Sequence, residues 1–175
     1  TWKMPKGENK IYLTFDDGPH PTITPQVLDI LKKFNAKATF FCIGNNVNKY
    51  KDTFETIIKE GHTIGNHTFN HERGWKTKTN DYVNSVNETQ KLIDNITVET
   101  HNTVETHNIV ETHNYVSLRR PPYGKIKSSQ IRKLKKHYKL IAWSVISYDW
   151  DKTLSHEECF NNIIKNAGDG SIIVF

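Results

Sequence analysis

The chain is poor in cysteine and in long apolar runs. Its 175 residues contain two cysteines, Cys42 and Cys159, which excludes a framework of several disulfides. No run reaches the roughly 18 apolar residues that a membrane-spanning helix needs, so no membrane span is expected. Residues 1–10 also lack the apolar core of a secretion signal. The sequence therefore leaves both a cytoplasmic and a cell-envelope location open.

Apolar residues are scarce as well, at 35% of the chain. The 11% aromatic content, together with 9 glycines and 6 prolines, nevertheless differs from the composition of disordered or fibrous chains. A length of 175 residues suits one domain around a single core. We therefore expect one domain over residues 1–175.

Charge is only mildly unbalanced. The 24 Lys and Arg against 19 Asp and Glu give a net charge of +5. Basic residues concentrate in residues 125–139, but this segment has no RNA-binding or helix-turn-helix signature. Ile131, Leu134 and Tyr138 give the same segment an apolar side. It is most simply the solvated face of an outer helix, and no nucleic-acid partner is expected.

Short apolar runs alternate with segments of helical periodicity, which indicates repeated βα units around a parallel sheet. Six strands are predicted, of which the first covers residues 11–15 and the fifth residues 140–146. A helix over about residues 80–95 precedes the fourth. The sixth ends the sequence, so we expect a fragment cut at Phe175. Periodicity alone does not separate an open doubly wound sheet from a barrel.

Three near-identical hexapeptides interrupt this alternation over residues 97–114. In an extended chain their histidines, His101, His107 and His113, would share one face and could form a metal-binding ribbon with the neighbouring glutamates. The simpler interpretation is a tandem duplication in an exposed loop, because surface loops tolerate long insertions. Three repeats are too few for a solenoid. We therefore interpret residues 97–114 as an insertion.

Two pairs of polar residues have the types and spacing of a metal centre. Asp16 and Asp17 directly follow the first strand, at the end where parallel α/β folds build their sites. One carboxylate there can bind a metal while the other accepts a proton; a solvated Asp-Gly turn is the alternative. His67 and His71 can reach one ion if their segment is helical or tightly turned, although such short patterns also match by chance. With a carboxylate they form a facial set that leaves positions for water and substrate.

Two further segments follow predicted strands. Arg120 begins an Arg-Pro-Pro-Tyr-Gly segment after the fourth strand and can pair with a carboxylate and lower its pKa. The prolines fix a turn that can aim the backbone N–H of Tyr123 at a developing oxyanion. Asp149 can orient an imidazole, and the indole of Trp150 can form the floor of a pocket. The alternatives are a rigid exposed loop at Arg120, and a helix N-cap followed by a core aromatic at residues 149–150.

In order and in context these segments resemble the motifs of NodB-type polysaccharide deacetylases, carbohydrate esterase family four. The motif segments are residues 14–19, 67–71, 120–124 and 143–150. The resemblance extends from about Ile11 to the end of the sequence. It implies an α/β fold, specifically a distorted (β/α) barrel with fewer than eight regular βα units.

The resemblance also implies an activity, that of a divalent-metal-dependent amidohydrolase removing N-acetyl groups from amino sugars of an oligo- or polysaccharide. Asp17, His67 and His71 would hold the ion, usually zinc, with cobalt, manganese or nickel as alternatives. Asp16 would be the catalytic base, and Arg120 would tune it.

Three more roles follow from the same resemblance. The Tyr123 N–H would help to hold the oxyanion, Asp149 would orient a general-acid histidine, and Trp150 would line the substrate pocket. The expected partner is an N-acetylated glycan such as peptidoglycan or chitin oligomers. Nothing in the sequence indicates an oligomeric state.

The chain departs from the family pattern at three places. In relatives the general-acid histidine follows the last strand, whereas this sequence ends at Phe175. Ile146 stands at a position that is often acidic, and Arg119 at one that is commonly apolar. The alternative function is therefore a catalytically silent relative that binds carbohydrate and metal but lacks the general acid. A third hypothesis makes the histidine repeat the functional unit, as a metal-buffering or interaction segment.

Overall fold

The structure is a computed structural model and describes residues 1–103 and 117–175. A 3-10 turn at Pro122–Gly124 accompanies the regular elements. The strands are β1 (Tyr12–Asp16), β2 (Thr39–Cys42), β3 (Thr63–Asn66), β4 (Ser117–Arg119), β5 (Tyr138–Leu140), β6 (Val145–Ile146) and β7 (Ile172–Val174). The helices are α1 (Ile23–Lys33), α2 (Gly44–Lys49), α3 (Lys51–Lys59), α4 (Thr79–Thr103), α5 (Ser128–Leu134) and α6 (His156–Asn166).

The strands form one parallel sheet in the order β5-β4-β3-β2-β1-β7-β6. Its two edge strands are joined only by residues 141–144, a connection that spans at most about 18 Å when fully extended. A flat sheet would hold its first and seventh strands about 29 Å apart, at roughly 4.8 Å per step. The sheet therefore curls until its edges approach each other. This confirms the predicted distorted (β/α) barrel with fewer than eight units.

The prediction of one strand over residues 140–146 is wrong. After β5 the chain remains paired to β4 through Ile141 N, which donates to Arg119 O at 2.8 Å. It then pairs with β7 through Ser144 N, which donates to Ile172 O at 2.9 Å. Because β5 and β6 lie at opposite edges of the sheet, the described residues contain seven strands rather than six. The apolar run over residues 140–146 does not reveal that the chain passes from one sheet edge to the other, since its hydrophobicity is the same whichever strand it pairs with.

Apolar side chains cover both faces of the sheet, as parallel strands require. Along β2 the side chain of Phe40 packs under the helices, while that of its neighbour Phe41 lies in the barrel interior with Ile141 and Ile172. The core under α1, α2, α3 and α4 is built from Leu28, Leu31, Ala38, Phe40, Cys42, Val47, Phe54, Ile57, Ile58, Ile93 and Ile96. A smaller cluster joins α4 to α5 through Tyr82, Val86, Leu134 and Tyr138. These layers hold the strand ends in fixed positions.

Helix α4 is longer than predicted, because the first hexapeptide continues it to Thr103. Ile96 and Thr100 are buried one helical turn apart, and Lys51 on α3 forms a 2.8 Å ion pair with Glu99. The first repeat therefore packs against the domain as helix. His101 lies in the last turn of α4, whereas His107 and His113 lie outside the described residues. The insertion over residues 97–114 and the metal-binding ribbon stay predictions.

Neither cysteine forms a disulfide, and Cys42 is fully buried. Burial raises the pKa of the Cys42 thiol far above its ordinary value, which keeps it protonated and unreactive. Within residues 1–103 and 117–175, no helix has both the length and the apolar character needed to cross a membrane.

Candidate active site

The predicted site residues follow strands whose carboxyl ends share one edge of the sheet. Asp16 is the last residue of β1 and Asp17 continues from it. His67 directly follows β3, and Arg120 directly follows β4. Because these strands are parallel within one curled sheet, their ends surround the same mouth of the barrel. The fold thus brings together residues that are up to 104 positions apart.

Asp17, His67 and His71 converge at this mouth. Asp17 Oδ1 lies 3.3 Å from His67 Nε2 and 3.2 Å from His71 Nε2. One ligand atom from each of the three residues lies within 4.8 Å of the others, a spacing that could hold a metal ion. Among the described parts of the chain, this is the one such group of histidine, cysteine and carboxylate side chains. The predicted ligand set is therefore assembled in space.

The segment from His67 to His71 reaches this arrangement as a tight turn rather than as a helix. Thr68 and His71 both have positive φ, at 68° and 58°. The Asn66 side chain accepts from Thr68 N at 3.0 Å, and Gly44 N donates to Thr68 O at 2.9 Å. Residues other than glycine adopt this backbone rarely, and such residues concentrate at functional sites. Asp17 and Tyr123 share it, with φ of 65° and 58°.

The orientation of His67 is set by a hydrogen bond on its far side. His67 is buried, and its Nδ1 lies 2.8 Å from the carbonyl oxygen of Arg120. A carbonyl only accepts, so Nδ1 carries a proton, and Nε2 is the ring nitrogen that faces Asp17. This is the arrangement usual for a metal-ligating histidine. Burial lowers the pKa of His71 below its ordinary value despite the nearby Asp17 carboxylate, which favours the neutral, ligating form.

Asp16 lies behind the three candidate ligands and is paired with Arg120. Arg120 Nη1 donates to Asp16 Oδ1 at 2.7 Å and to Thr14 Oγ1 at 2.7 Å. The guanidinium is fully buried and stacks over the Phe41 ring at 4.2 Å. It also donates to the carbonyl of Ala142 at 3.0 Å. Asp16 is therefore held by a guanidinium that is itself fixed by hydrogen bonds to Thr14 and to the backbone of Ala142.

The two neighbouring aspartates differ in pKa for identifiable reasons. Burial raises the pKa of the Asp16 carboxyl above its ordinary value, although His67 and Arg120 act in the opposite direction. The lowering by Arg120 is as expected from the sequence, but burial outweighs it. Burial also opposes ionisation of Asp17, yet the adjacent imidazoles of His67 and His71 hold its pKa below the ordinary value. Of the two carboxyl groups, Asp17 therefore ionises more readily and Asp16 is the stronger base.

A cavity of about 820 Å³ opens above these residues. Asp16, Asp17, His67 and His71 line it, while Arg120 lies beneath its floor. The remaining predicted site residues, Tyr123, Asp149 and Trp150, also line it.

Each of these three wall residues has a defined contact. The Tyr123 ring centroid lies 4.6 Å from that of His71. Asp149 accepts a short hydrogen bond from Ser147 Oγ, and the Trp150 ring lies 5.6 Å from that of Tyr148. All eight predicted residues therefore belong to one site.

Two titratable residues of the cavity wall were missed by the sequence reasoning. His20 follows the Asp-Asp-Gly-Pro segment, and its Nδ1 accepts at 3.3 Å from the N–H groups of Thr22 and Ile23, at the start of α1. Lys125 follows the Arg-Pro-Pro-Tyr-Gly segment. Both stand directly beside recognised motifs, and that proximity is the signal that could have found them.

Comparison with known proteins agrees with this geometry. A family model described as polysaccharide deacetylase matches residues 3–140. The chain belongs to the polysaccharide deacetylase family. The resemblance inferred from the four motifs is thereby confirmed, and so is the barrel fold that it implies.

Curated members of this polysaccharide deacetylase family match most of the chain. A peptidoglycan-N-acetylglucosamine deacetylase of Bacillus cereus is 33% identical over 171 residues, which are 97% of this chain and 56% of the relative. A chitooligosaccharide deacetylase of Azorhizobium caulinodans is 32% identical over 173 residues, covering 98% of this chain and 75% of the relative. The chain thus spans between about half and three quarters of the length of these relatives.

A solved structure of the family has the same fold. The Bc1960 peptidoglycan N-acetylglucosamine deacetylase, in complex with 4-naphthalen-1-yl-N-oxidanyl-benzamide, superposes with a TM-score of 0.85 at 33% identity. The match covers 99% of this chain and 74% of that one. The curled parallel sheet is therefore the architecture of a polysaccharide deacetylase.

Proposed function

We propose that this protein is a divalent-metal-dependent hydrolase that removes N-acetyl groups from amino sugars of an oligo- or polysaccharide. The observation that carries the proposal is the convergence of Asp17, His67 and His71 on one point beside the hydrogen-bonded pair of Asp16 and Arg120. The relatives support it, since they are named as deacetylases of peptidoglycan and of chitooligosaccharide.

The donor set fits a divalent transition metal. One carboxylate and two imidazoles form a facial group of the kind that catalytic zinc sites use, and cobalt, manganese and nickel accept the same donors. The hydrogen bond from His67 Nδ1 to the Arg120 carbonyl provides the outer support that such a ligand needs. When bound there, the ion supplies a Lewis acid that polarises the acetyl carbonyl and increases the acidity of water.

Asp16 takes the role of general base. Its Oδ2 lies 3.9 Å from His67 Nε2, so it is next to the candidate ligands without belonging to their set. The carboxylate would accept the proton of the attacking water. Arg120 holds Oδ1 of Asp16, which leaves Oδ2 free for that proton.

The cavity wall would stabilise the charge that develops after attack. The backbone N–H of Tyr123, in a segment with left-handed φ beside His71, would donate to the oxyanion. Asp149 would orient an imidazole that protonates the departing amine, and the half-exposed indole of Trp150 would pack against the sugar ring. Each of these assignments is part of the proposal.

Acetate release tests the function. The purified product of the complete gene would be incubated with N-acetylglucosamine oligomers and with peptidoglycan, before and after treatment with EDTA. We expect release that EDTA abolishes and that added Zn²⁺, Co²⁺, Mn²⁺ or Ni²⁺ restores. Asp16→Asn should lower the rate by about 10²- to 10⁴-fold, because the general base is lost. Asp29→Asn, at an exposed position of α1, is the matched control and should retain full activity.

Two results would contradict the proposal. Glycan binding without acetate release would support the catalytically silent alternative instead. Acetate release that survives both EDTA and Asp16→Asn would place the chemistry elsewhere in the protein.

A further inference from the structure

A surface of alternating cations and aromatic rings extends outward from the candidate active site. We call it the cationic ledge and define it as Arg73, Trp75, Tyr123 and Lys125. Arg73 Cζ lies 4.9 Å from the centroid of the Tyr123 ring, and Lys125 Nζ lies 5.3 Å from that of Trp75. Tyr123 contacts the His71 ring, and Lys125 lines the active-site cavity. The ledge is therefore continuous with the site.

The cationic ledge is formed by two loops that contact each other. The buried Gln130 side chain donates from Nε2 to the carbonyl of Gly74 at 2.9 Å, and Trp75 Nε1 donates to Ile126 O at 3.3 Å. A Cβ atom at Gly74 would stand only 2.5 Å from the carbonyl oxygen of Lys125, so the two backbones touch there. The ledge thus keeps its shape before any ligand arrives, which reduces the entropic cost of binding.

The residues of the cationic ledge are not part of the hydrophobic core. Trp75 and Tyr123 are 62% and 49% exposed, and neither belongs to a hydrophobic cluster. Within the described residues, neither Arg73 nor Lys125 forms an ion pair with a carboxylate. The adjacent Glu72 is half-buried and accepts from Asn70 N at 3.2 Å. Among the residues that the structure describes, these two cations beside the cavity consequently have no anionic partner.

Resting on the proposed function, we propose that the cationic ledge binds a carboxylate-bearing sugar next to the N-acetylated sugar in the cavity. Exposed aromatic rings pack well against the C–H faces of pyranoses, and Trp75 and Tyr123 supply them. Arg73 and Lys125 supply the charge that a carboxylate requires. A neutral oligosaccharide would use the rings but leave the cations unpaired. The preferred substrate is therefore an acidic glycan.

Two sources of carboxylate satisfy this chemistry, a lactyl ether on an amino sugar and a uronic acid. The test compares three substrates of equal length, each containing N-acetylglucosamine. The first is a peptide-free glycan strand in which alternate sugars carry lactyl carboxylates, the second alternates with glucuronic acid, and the third is a neutral chitooligosaccharide. The lactyl strand with its carboxylates converted to amides is the matched control substrate.

The protein supplied with Zn²⁺ should give a higher kcat/KM for at least one acidic strand than for its neutral counterpart. For Arg73→Gln combined with Lys125→Gln, we expect the ratio of acidic to neutral kcat/KM to fall by about 2- to 10-fold, the size of two exposed ion pairs. Raising the salt concentration should reduce the same ratio in the unsubstituted protein, because exposed charges are screened. Lys76→Gln is the matched control, since Lys76 is exposed on the same loop; it should leave the ratio unchanged.

Gly74→Ala provides a second variant that keeps every charge. Because its Cβ would press on the Lys125 backbone, it should separate the two loops and lower the ratio as the double variant does. The lactyl and glucuronic strands then identify which carboxylate the ledge accepts. An unchanged ratio of acidic to neutral kcat/KM in the double variant would overturn the proposal. So would a protein that has equal kcat/KM for the carboxylate and amide forms of the lactyl strand and also does not prefer the glucuronic strand to the neutral one.

Failure of the proposed function would be recognised separately. If no substrate released acetate, calorimetric titration of the same strands into the Zn²⁺-supplied protein would still test the ledge. Tighter binding of an acidic strand, weakened by the double variant and not by Lys76→Gln, would support the ledge in a protein without turnover. Equal affinity for the acidic and neutral strands would overturn it.

Discussion

Arg120 Nη1 donates a 2.7 Å hydrogen bond to Asp16 Oδ1 across the interior of the barrel. The two residues belong to the ends of β4 and β1, which are separated in the sheet by β2 and β3. Only a strongly curled sheet brings such strands within reach of one hydrogen bond. The pair therefore links the curvature of the fold to the position of the proposed general base.

Arg120→Met should destabilise the protein strongly. The substitution leaves the Asp16 carboxylate, which is only 16% exposed, without its partner, and we expect the free energy of unfolding to fall by about 3 kcal/mol. Urea denaturation measures this directly. Adding Asp16→Asn should recover part of the loss, because the uncompensated charge is then removed. A strictly additive double variant would contradict the coupling.

Arg119→Met should not destabilise the protein, although Arg119 is the direct neighbour of Arg120. Arg119 is fully buried, its three guanidinium nitrogens have no hydrogen-bond partner among residues 1–103 and 117–175, and its Cζ lies 4.7 Å from the centroid of the Tyr82 ring. Replacing it by an apolar side chain of similar length removes a desolvated charge, so we expect stability to be unchanged or to rise by about 1–3 kcal/mol. A loss comparable to that of Arg120→Met in the same urea experiment would show that Arg119 has a stabilising partner.

Divalent metal should stabilise the folded protein through the three candidate ligands. At a Zn²⁺ concentration of 100 times the dissociation constant, the gain is about 2.7 kcal/mol, which thermal unfolding detects as a rise in Tm. His71→Ala should abolish most of the rise. His137→Ala, at an exposed position remote from the cavity, should leave it intact. Asp16→Asn should also retain it, since Asp16 lies outside the ligand set.

The histidine repeat can be separated from this centre by metal counting. Substituting His107 and His113 together by Gln leaves Asp17, His67 and His71 untouched. We expect one bound ion per chain to remain, measured by elemental analysis after dialysis. If the metal content fell to zero, the repeat rather than the barrel mouth would be the metal-binding unit.

The ionisation of Asp169 should make the stability of the folded protein depend on pH under acidic conditions. Its carboxylate accepts hydrogen bonds from Gly7 N and from Lys10 N, and these bonds hold its pKa below the ordinary value. A carboxylate with a depressed folded-state pKa stabilises fully above its unfolded pKa and loses this effect as pH falls through the folded value. The Tm difference between the unsubstituted protein and Asp169→Asn should therefore be constant from pH 7 to about pH 5 and shrink below about pH 4. A difference that grows on acidification would contradict this assignment.

Much of the candidate site was predictable because its residues are grouped locally. Asp16 with Asp17, His67 with His71, and Arg120 with Tyr123 each lie within a few positions of a strand end, and parallel strands place those ends together. The division of residues 140–146 into β5 and β6 was not predictable, because hydrophobicity does not say which strand a residue pairs with. The cationic ledge was missed for a similar reason, since its loops lie about 50 positions apart in sequence.

The sequence by itself determined the order of motifs, and it predicted the parallel α/β class and a set of two histidines with a carboxylate, since each depends on residue type and short-range spacing. The choice of Asp17 rather than Asp16 as the proposed ligand came from the resemblance to the family. The tertiary structure decided everything that depends on two distant segments meeting. It joined the two sheet edges through residues 141–144, paired Arg120 with Asp16 and placed Lys125 over the Trp75 ring. It also buried the Arg119 guanidinium without a hydrogen-bond partner among the described residues. Such contacts arise from packing the whole chain into one volume, and no local pattern of residues specifies them.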